Sequence, residues 1–441
     1  MKTIETKNKH EEPVAMEDLY SLNVGKMWSA FKMQSLAFWA LCGYFFFEYV
    51  RPQNLYPVID VLPWALTFLL IALFASFSDK TVQWTGNPEN KLMVVFTLIV
   101  IVSGIFAFQP EYSFAKRDVF LTWILVYFLV VNVINTEARL YLFIVLYLVF
   151  NFKMSQHGFV TWAERGFSFA SHGLIGAPGW FRNSGEFSMQ MLIVLSLSLA
   201  FVMSIRTKIS GLRKYVFYFI PFTAFATILG ASSRGSQLAL AVLAVWLLTK
   251  SKHWFRASLV IGILALLAWH FLPAEQIARF QEVGTDNTSL QRMAYWDIGL
   301  KIVNDHPIIG IGYYNWVPYL RYLYPEGVGP LQTVEAAHNS LLEGVTELGY
   351  AGFGVFILMV FYIFKLNRDA RRMAKEANKD FLYYVPYGLD AGLVSYLISG
   401  FFIAAFYYPF FWVQLAMTVA VYNVALKEHG VHQHKRIMKL D

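Results

Sequence analysis

Ala337-His338-Asn339-Ser340-Leu341-Leu342-Glu343-Gly344-Val345-Thr346-Glu347-Leu348-Gly349-Tyr350-Ala351-Gly352 ends the longest polar interval of a very apolar chain and opens an apolar run that continues to Phe364. A run that long with few charges predicts a helix entering a membrane. Working outward, comparable runs lie at 29–50, 58–77, 91–108, 118–134, 138–153, 186–205, 214–231, 235–250, 256–272, 381–403 and 407–426. Each is close to the roughly 20 residues that cross about 30 Å of hydrocarbon. The 441 residues are 57% hydrophobic and only 15% charged, against about 25% charged in an ordinary soluble domain. The mean hydropathy is +0.46. These values predict an all-α polytopic membrane protein with about twelve transmembrane helices. They exclude a β-barrel, which would show short alternating segments. The single cysteine, Cys42, sits in an apolar run, so no disulfide framework exists.

The net charge of +7 would suit a nucleic-acid partner, but its placement points to the membrane instead. With the N-terminus inside and helices alternating, about two thirds of the lysines and arginines fall on the inner side, as the positive-inside rule requires. The basic loop Lys365–Lys379, with Arg368, Arg371 and Arg372, is the firmest marker. Both termini are then cytoplasmic. The expected organisation is a flexible tail at 1–28 and nine helices over 29–272, with an outer loop at 154–185. A large outer loop at 273–337 separates helices nine and ten, helices ten to twelve fill 338–426, and 427–441 forms a second tail. The polar N-terminal segment lacks the early apolar run and cleavage site of a signal peptide.

Function on such a scaffold concentrates in loops and helix ends. In the large loop, Ser289–Val303 reads as a helix capped by Thr288 or Ser289 and ended by Asn304-Asp305-His306-Pro307. Gly310-Ile311-Gly312 makes a turn. Tyr313, Tyr314, Trp316, Tyr319, Tyr322 and Tyr324 follow, as an interfacial aromatic belt or as a platform for sugar rings. Ser340-Leu341-Leu342-Glu343 has the form of a capping box. With Ser340 as N-cap, His338 stands just outside a helix whose free N–H groups favour anions. With Thr333 as cap, it lies in the second turn. A general base and an ordinary interfacial histidine are both open for it.

Arg234, in Ser232-Ser233-Arg234-Gly235-Ser236, joins two apolar segments with almost no polar linker. It reads as a phosphate-binding fork with room left by small neighbours, or as a snorkelling residue. Arg182 precedes a helix start at Asn183–Glu186. The three basic groups fall on one face, where a diphosphate would suit them. Asp390 lies within an apolar run, a functional position by default or a partner for a neighbouring helix. Glu186, Glu343 and Glu347 stand in first helical turns, where they complement the dipole. Glu48 and Arg51 flank a turn at pairing distance. No Walker loop, metal-ligand cluster or nucleophile elbow occurs.

His338-Asn339, nine residues, then Gly349-x-x-Gly352 resembles the signature H-[NSQ]-x9-G-x-x-[GTY] of bacterial O-antigen ligases. Related O-antigen polymerases and protein O-oligosaccharyltransferases share much of it. Ser233-Arg234-Gly235-Ser236 is similar to their small-residue–arginine element. Arg292, Trp296 and Pro307-Ile308-Ile309-Gly310-Ile311-Gly312 are similar to the run leading into their large outer loop. The resemblance covers about Arg182 to Tyr408. It implies a GT-C-type, inverting, metal-independent glycosyltransferase without cofactor in the bacterial inner membrane. The implied donor is a glycan on undecaprenyl diphosphate. The implied acceptor is a hydroxyl of lipid A-core, of another glycan or of a protein, reached at the periplasmic face. Carried over, His338 activates the acceptor, while Arg234 and Arg182 hold the diphosphate. Asn339, Ser340, Glu343, Arg292 and Asp390 are candidate supporting residues. Beyond these substrates the expected partners are membrane lipids, with no nucleic acid. A transporter of the lipid-linked glycan is the rival from another class.

Overall fold

In hydrocarbon, backbone N–H and C=O groups find partners only inside a helix or a closed barrel, and the computed structural model of this chain has no strands among its described residues. The structure describes residues 14–169, 173–209, 211–250 and 284–437, with isolated residues between 251 and 283. The apolar runs fold as α1 (Leu36–Tyr49), α2 (Trp64–Ser78), α3 (Pro88–Ile105), α4 (Arg117–Val133), α5 (Glu137–Glu164), α6 (Ser184–Ile205), α7 (Leu212–Gly230) and α8 (Arg234–Lys250). The large loop carries α9 (Asn287–Asp305) and α10 (Trp316–Leu323). Then come α11 (Ser340–Glu376), α12 (Asp380–Ser399) and α13 (Pro409–Ile437).

Among the described residues α3, α5, α6, α11 and the Pro409–His434 part of α13 are long and apolar enough to cross a membrane. With that composition the chain is a multi-pass membrane protein. α6, nearly all buried, packs along α12 and α7, and α13 packs against α11, α4 and α12. The ninth apolar run, 256–272, falls largely outside the described residues.

Several boundaries differ from the sequence reading, because helices continue through polar residues past the ends of their apolar runs. α5 runs on past residue 153 to Glu164, ending where Gly166 and Phe167 both take positive φ. The outer loop expected at 154–185 is therefore about one third helix. The basic segment Lys365–Lys379 is mostly the last turns of α11 rather than a loop. α13 extends through the expected tail to Ile437. At the other end, residues 14–28 are no free tail. Met16–Tyr20 is helical, Leu19 and Tyr20 are buried, and the Tyr141 hydroxyl donates to the Leu19 carbonyl at 2.9 Å. The Glu48–Arg51 pair forms as expected, at 2.9 Å.

The large loop has its own core. Tyr295, Ile298 and Ile302 of α9 pack with Ile311, Trp316, Leu320, Val328, Ala337 and Leu342. Tyr313 is buried as well, stacking edge-on against Tyr407 at 4.8 Å. Neither the belt nor the platform reading holds for these residues; only Tyr322 of the series is well exposed. The aromatic run is mainly packing that gives the loop a rigid body.

That body is stitched to the bundle at a break in α11. Gly349 has φ +62° and ψ −171°, which no helix contains. Across the gap, the N–H groups of Tyr350 and Ala351 donate to the carbonyls of Pro307 (2.7 Å) and Ile308 (3.1 Å). In return, Ile311 and Gly312 donate to the carbonyls of Thr346 (2.9 Å) and Glu347 (3.1 Å). Segment 307–312 thus supplies the partners that the break removes. A Cβ on Gly349 would lie 2.3 Å from the Ile308 oxygen, and one on Gly310 would lie 2.4 Å from the Thr346 oxygen. The two glycines of these motifs are therefore a backbone-to-backbone contact. Gly349→Val should cost about 2 kcal/mol or more, since left-handed backbone alone costs roughly 1–2 kcal/mol for a side-chain-bearing residue and the clash adds to it. Thermal unfolding in detergent measures this, with Gly354→Ala, where a Cβ meets nothing within 4 Å, as the silent control.

Candidate active site

The break leaves Ser340–Leu348 as a short helix set on top of the long lower rod of α11. Its N-cap is Asn339, whose Oδ1 accepts from the N–H groups of Leu341 (3.0 Å) and Leu342 (3.1 Å). Ser340 is not the cap, and Ser340 with Glu343 is not a capping box. The Ser340 hydroxyl donates to the Ile403 carbonyl (2.6 Å) and accepts from the Ala405 N–H (3.0 Å). The Glu343 carboxylate accepts from the Phe406 N–H (3.1 Å). Both residues tie the start of α11 to the link between α12 and α13. Glu347 likewise accepts from the N–H groups of Tyr314 and Trp316, both at 2.9 Å, and so caps α10 rather than its own helix.

His338 sits immediately before this cap, with φ +50°. Histidine tolerates that left-handed conformation better than most residues. Its side chain is 29% exposed, and Nε2 lies 3.3 Å from Oε2 of Glu335. Burial pushes its pKa below the ordinary histidine value; the hydrogen bond to the Glu335 carboxylate opposes this and the charge of Arg292 adds to it. The imidazole is thereby kept neutral, with a lone pair, down to lower pH than a free histidine.

Arg234 is the first residue of α8, and its guanidinium grips Asp286 through both Nη atoms, at 2.9 and 3.3 Å. Its head group is thus held by a carboxylate of the large loop. Its small neighbours do not hold space open: a Cβ on Gly235 would strike Phe402 at 2.6 Å, and Ser236 accepts a 2.6 Å hydrogen bond from Ser188 of α6. Asp286, not Thr288 or Ser289, is the N-cap position of α9; its carboxylate accepts from both of those hydroxyls as well as from Arg234. These donors hold Asp286 well below the usual carboxylate range despite the opposing effect of burial. Arg292, two turns into α9, is half-buried. Burial first, then the neighbouring charge of Arg234, push its guanidinium below its ordinary value, and Asp286 opposes this.

The structure therefore joins His338, Arg292 and Arg234 in one electrostatic neighbourhood, with Glu335 and Asp286 as the acidic partners that sequence reasoning missed. The signal for Asp286 was there, in an aspartate two residues before a Thr-Ser pair at a helix start. Arg182 is not joined to them. It is exposed, with no hydrogen-bond or ion-pair partner among the described residues, one position before the Asn183–Glu186 capping box that forms as expected. Asp390 lies elsewhere. It is buried on α12 in a pair with Arg371 (2.5 Å) and Asn367 (2.8 Å). Those partners stand some 40 Å down α11 from His338 at about 1.5 Å per residue. Asp390 braces helices and is no part of this site. Among the described residues no group of three or more His, Cys, Asp or Glu side chains is arranged to hold a metal ion.

Residues 219–357 match the family model described as O-antigen ligase. The matched stretch begins in α7, takes in Arg234, Arg292 and His338, and ends just past the break at Gly349. No curated protein matches the chain.

Proposed function

Taking residues 219–357 as an O-antigen ligase domain, we propose that the protein transfers a glycan from undecaprenyl diphosphate to an acceptor hydroxyl, most directly a lipid A-core sugar. The single observation that carries this reading is a part-exposed histidine with left-handed backbone, bonded to Glu335 just before a helix cap, within the stretch that matches the ligase model. His338 takes the proton of the acceptor hydroxyl as its oxygen attacks the anomeric carbon. The bond from that carbon to the diphosphate oxygen breaks, and the diphosphate leaves with the electron pair. Displacement from the opposite side inverts the anomeric centre. Arg234 and Arg292 stabilise the charge that grows on the leaving group; Arg182, exposed at the head of α6 and apart from them, is a separate candidate for a phosphate contact. The chain crosses the bacterial inner membrane about twelve times as a GT-C-type enzyme, with both termini cytoplasmic and His338 facing the periplasm; the inward bias of lysine and arginine supports this orientation.

The test is transfer by purified protein in liposomes, given undecaprenyl-diphosphate glycan and a panel of lipid A-core, glycan and peptide acceptors, with products weighed by mass spectrometry. A growing glycan as the sole acceptor makes the protein a polymerase. Movement of the donor across the bilayer with no new glycosidic bond overturns the enzyme reading.

A pH prediction follows from the lowered pKa of His338. Base catalysis needs the neutral ring, so the rate falls as pH drops through that pKa. Arg292→Gln removes a cation that lowers it, so the acid limb of the remaining activity should move to higher pH. An unmoved limb would separate Arg292 from His338.

A further inference from the structure

Glu335 lies three residues before His338 in an extended segment, not on a helix, so its approach to the ring is set by the fold rather than by helical spacing. Its backbone is held at both ends by the core of the large loop. The Glu335 N–H donates to the Tyr295 hydroxyl (2.8 Å) and its carbonyl accepts from Trp316 Nε1–H (3.0 Å). Tyr295 in turn donates to the Thr333 carbonyl (3.0 Å), as does Gln291 (3.2 Å). Four hydrogen bonds from α9 and α10 thus fix the segment that presents this carboxylate. At its other end the left-handed backbone of His338 and the Asn339 cap fix the ring. The Glu335 carboxylate meets Nε2 at 3.3 Å. An ionised carboxylate has no hydrogen to give, so Nε2 is the donor and the lone pair of the neutral ring sits on Nδ1.

Resting on the reading of His338 as base, we propose that Glu335 is its positioning carboxylate. It accepts the Nε2–H, selects the tautomer whose Nδ1 is free to take the acceptor's proton, and faces the imidazolium formed when Nδ1 does so. Glu335 itself takes no proton. The arrangement follows the logic of a base oriented by a third group. The charged groups around the ring are Glu335 on its own segment and Arg292 from α9, with the Arg234–Asp286 pair beyond. Glu335 and Arg292 pull in opposite directions. This sets the sign of the test.

The experiment compares wild type, Glu335→Gln and Glu335→Asp as full-length protein in liposomes, with undecaprenyl-diphosphate glycan as donor and lipid A-core as acceptor. Glu335→Gln keeps size and loses charge. It should lower kcat about 10- to 100-fold, as loss of an orienting partner does at histidine ligands, leave the donor KM near wild type, and move the acid limb to lower pH. Glu335→Asp should recover part of the rate. Unchanged kcat and limb overturn the proposal, and so does a loss that comes with a raised KM and an unmoved limb, which marks a merely structural role. Should Glu335→Gln fail to fold, the wild-type protein decides. With ¹³C,¹⁵N-labelled histidine, His338 assigned by difference from His338→Gln should show the Nε2–H tautomer near neutral pH; the Nδ1–H tautomer overturns the proposal. A silent Glu335→Gln beside an inactive His338→Ala removes the positioning role and leaves the base in place. An active His338→Ala removes the base itself.

Discussion

His338→Ala should lower glycan transfer by about 10²- to 10⁴-fold, the usual contribution of a positioned general base, while the protein still inserts and binds donor. The separation is expected because the surrounding structure does not depend on the imidazole. The ring is partly exposed, and among the described residues its hydrogen-bond partner is Glu335. The neighbouring structure is secured by others: Asn339 caps the helix, Ser340 and Glu343 clasp the 403–406 link, and Ala337 seals the core of the loop. The measurement is initial rate in liposomes, with donor binding measured on the same preparation. Transfer within a few-fold of wild type would sink the assignment of His338 as base. Donor binding lost together with transfer would instead make His338 a binding residue.

Arg234→Lys should lose about 10²- to 10³-fold in kcat, the scale of removing one preorganised donor from a site of developing charge. Lysine keeps the charge but not the fork, and the fork is what grips both oxygens of Asp286. Two consequences overlap in this variant. On the proposed role the leaving diphosphate loses a planar partner, and Asp286 is left with the hydroxyls of Thr288 and Ser289. Asp286→Asn separates them, because it loosens Arg234 from α9 while leaving the guanidinium in place. If Arg234 acts on the diphosphate, Arg234→Lys is far more damaging than Asp286→Asn. Equal losses in the two, each with a lowered melting temperature, would reduce Arg234 to a strut between α8 and α9.

Particular residues show how far the sequence could be read. Class and helix positions were legible because hydropathy is a local property and the membrane imposes one solution on each apolar run. His338 and Arg234 could be singled out as candidates because each stands in a short motif. Gly349 was legible as a motif letter but not as a break in a helix. The reason for the glycine is the carbonyl of Ile308, forty-one residues away in sequence and 2.3 Å from a would-be Cβ. Asp286 and Glu335 stayed hidden because their roles are partnerships made by folding. Asp390 misled for the complementary reason. A buried carboxylate in an apolar run does need a partner, and Arg371 and Asn367 provide it at a distance from the chemistry. Arg182 was grouped with the other cations by topology alone, and topology gives the face of a membrane protein without giving neighbours.

The break at Gly349 has a mechanical consequence. A rigid transmembrane helix tilts when the bilayer thickens or thins around it, and a residue at its tip would swing with it. Here the upper segment is bonded to Pro307–Gly312 and to the 403–406 link, while the lower rod pivots below a residue with no helical hydrogen-bond continuity. A joint of that kind would let the lower rod change tilt with bilayer thickness while the bonded upper segment keeps its place.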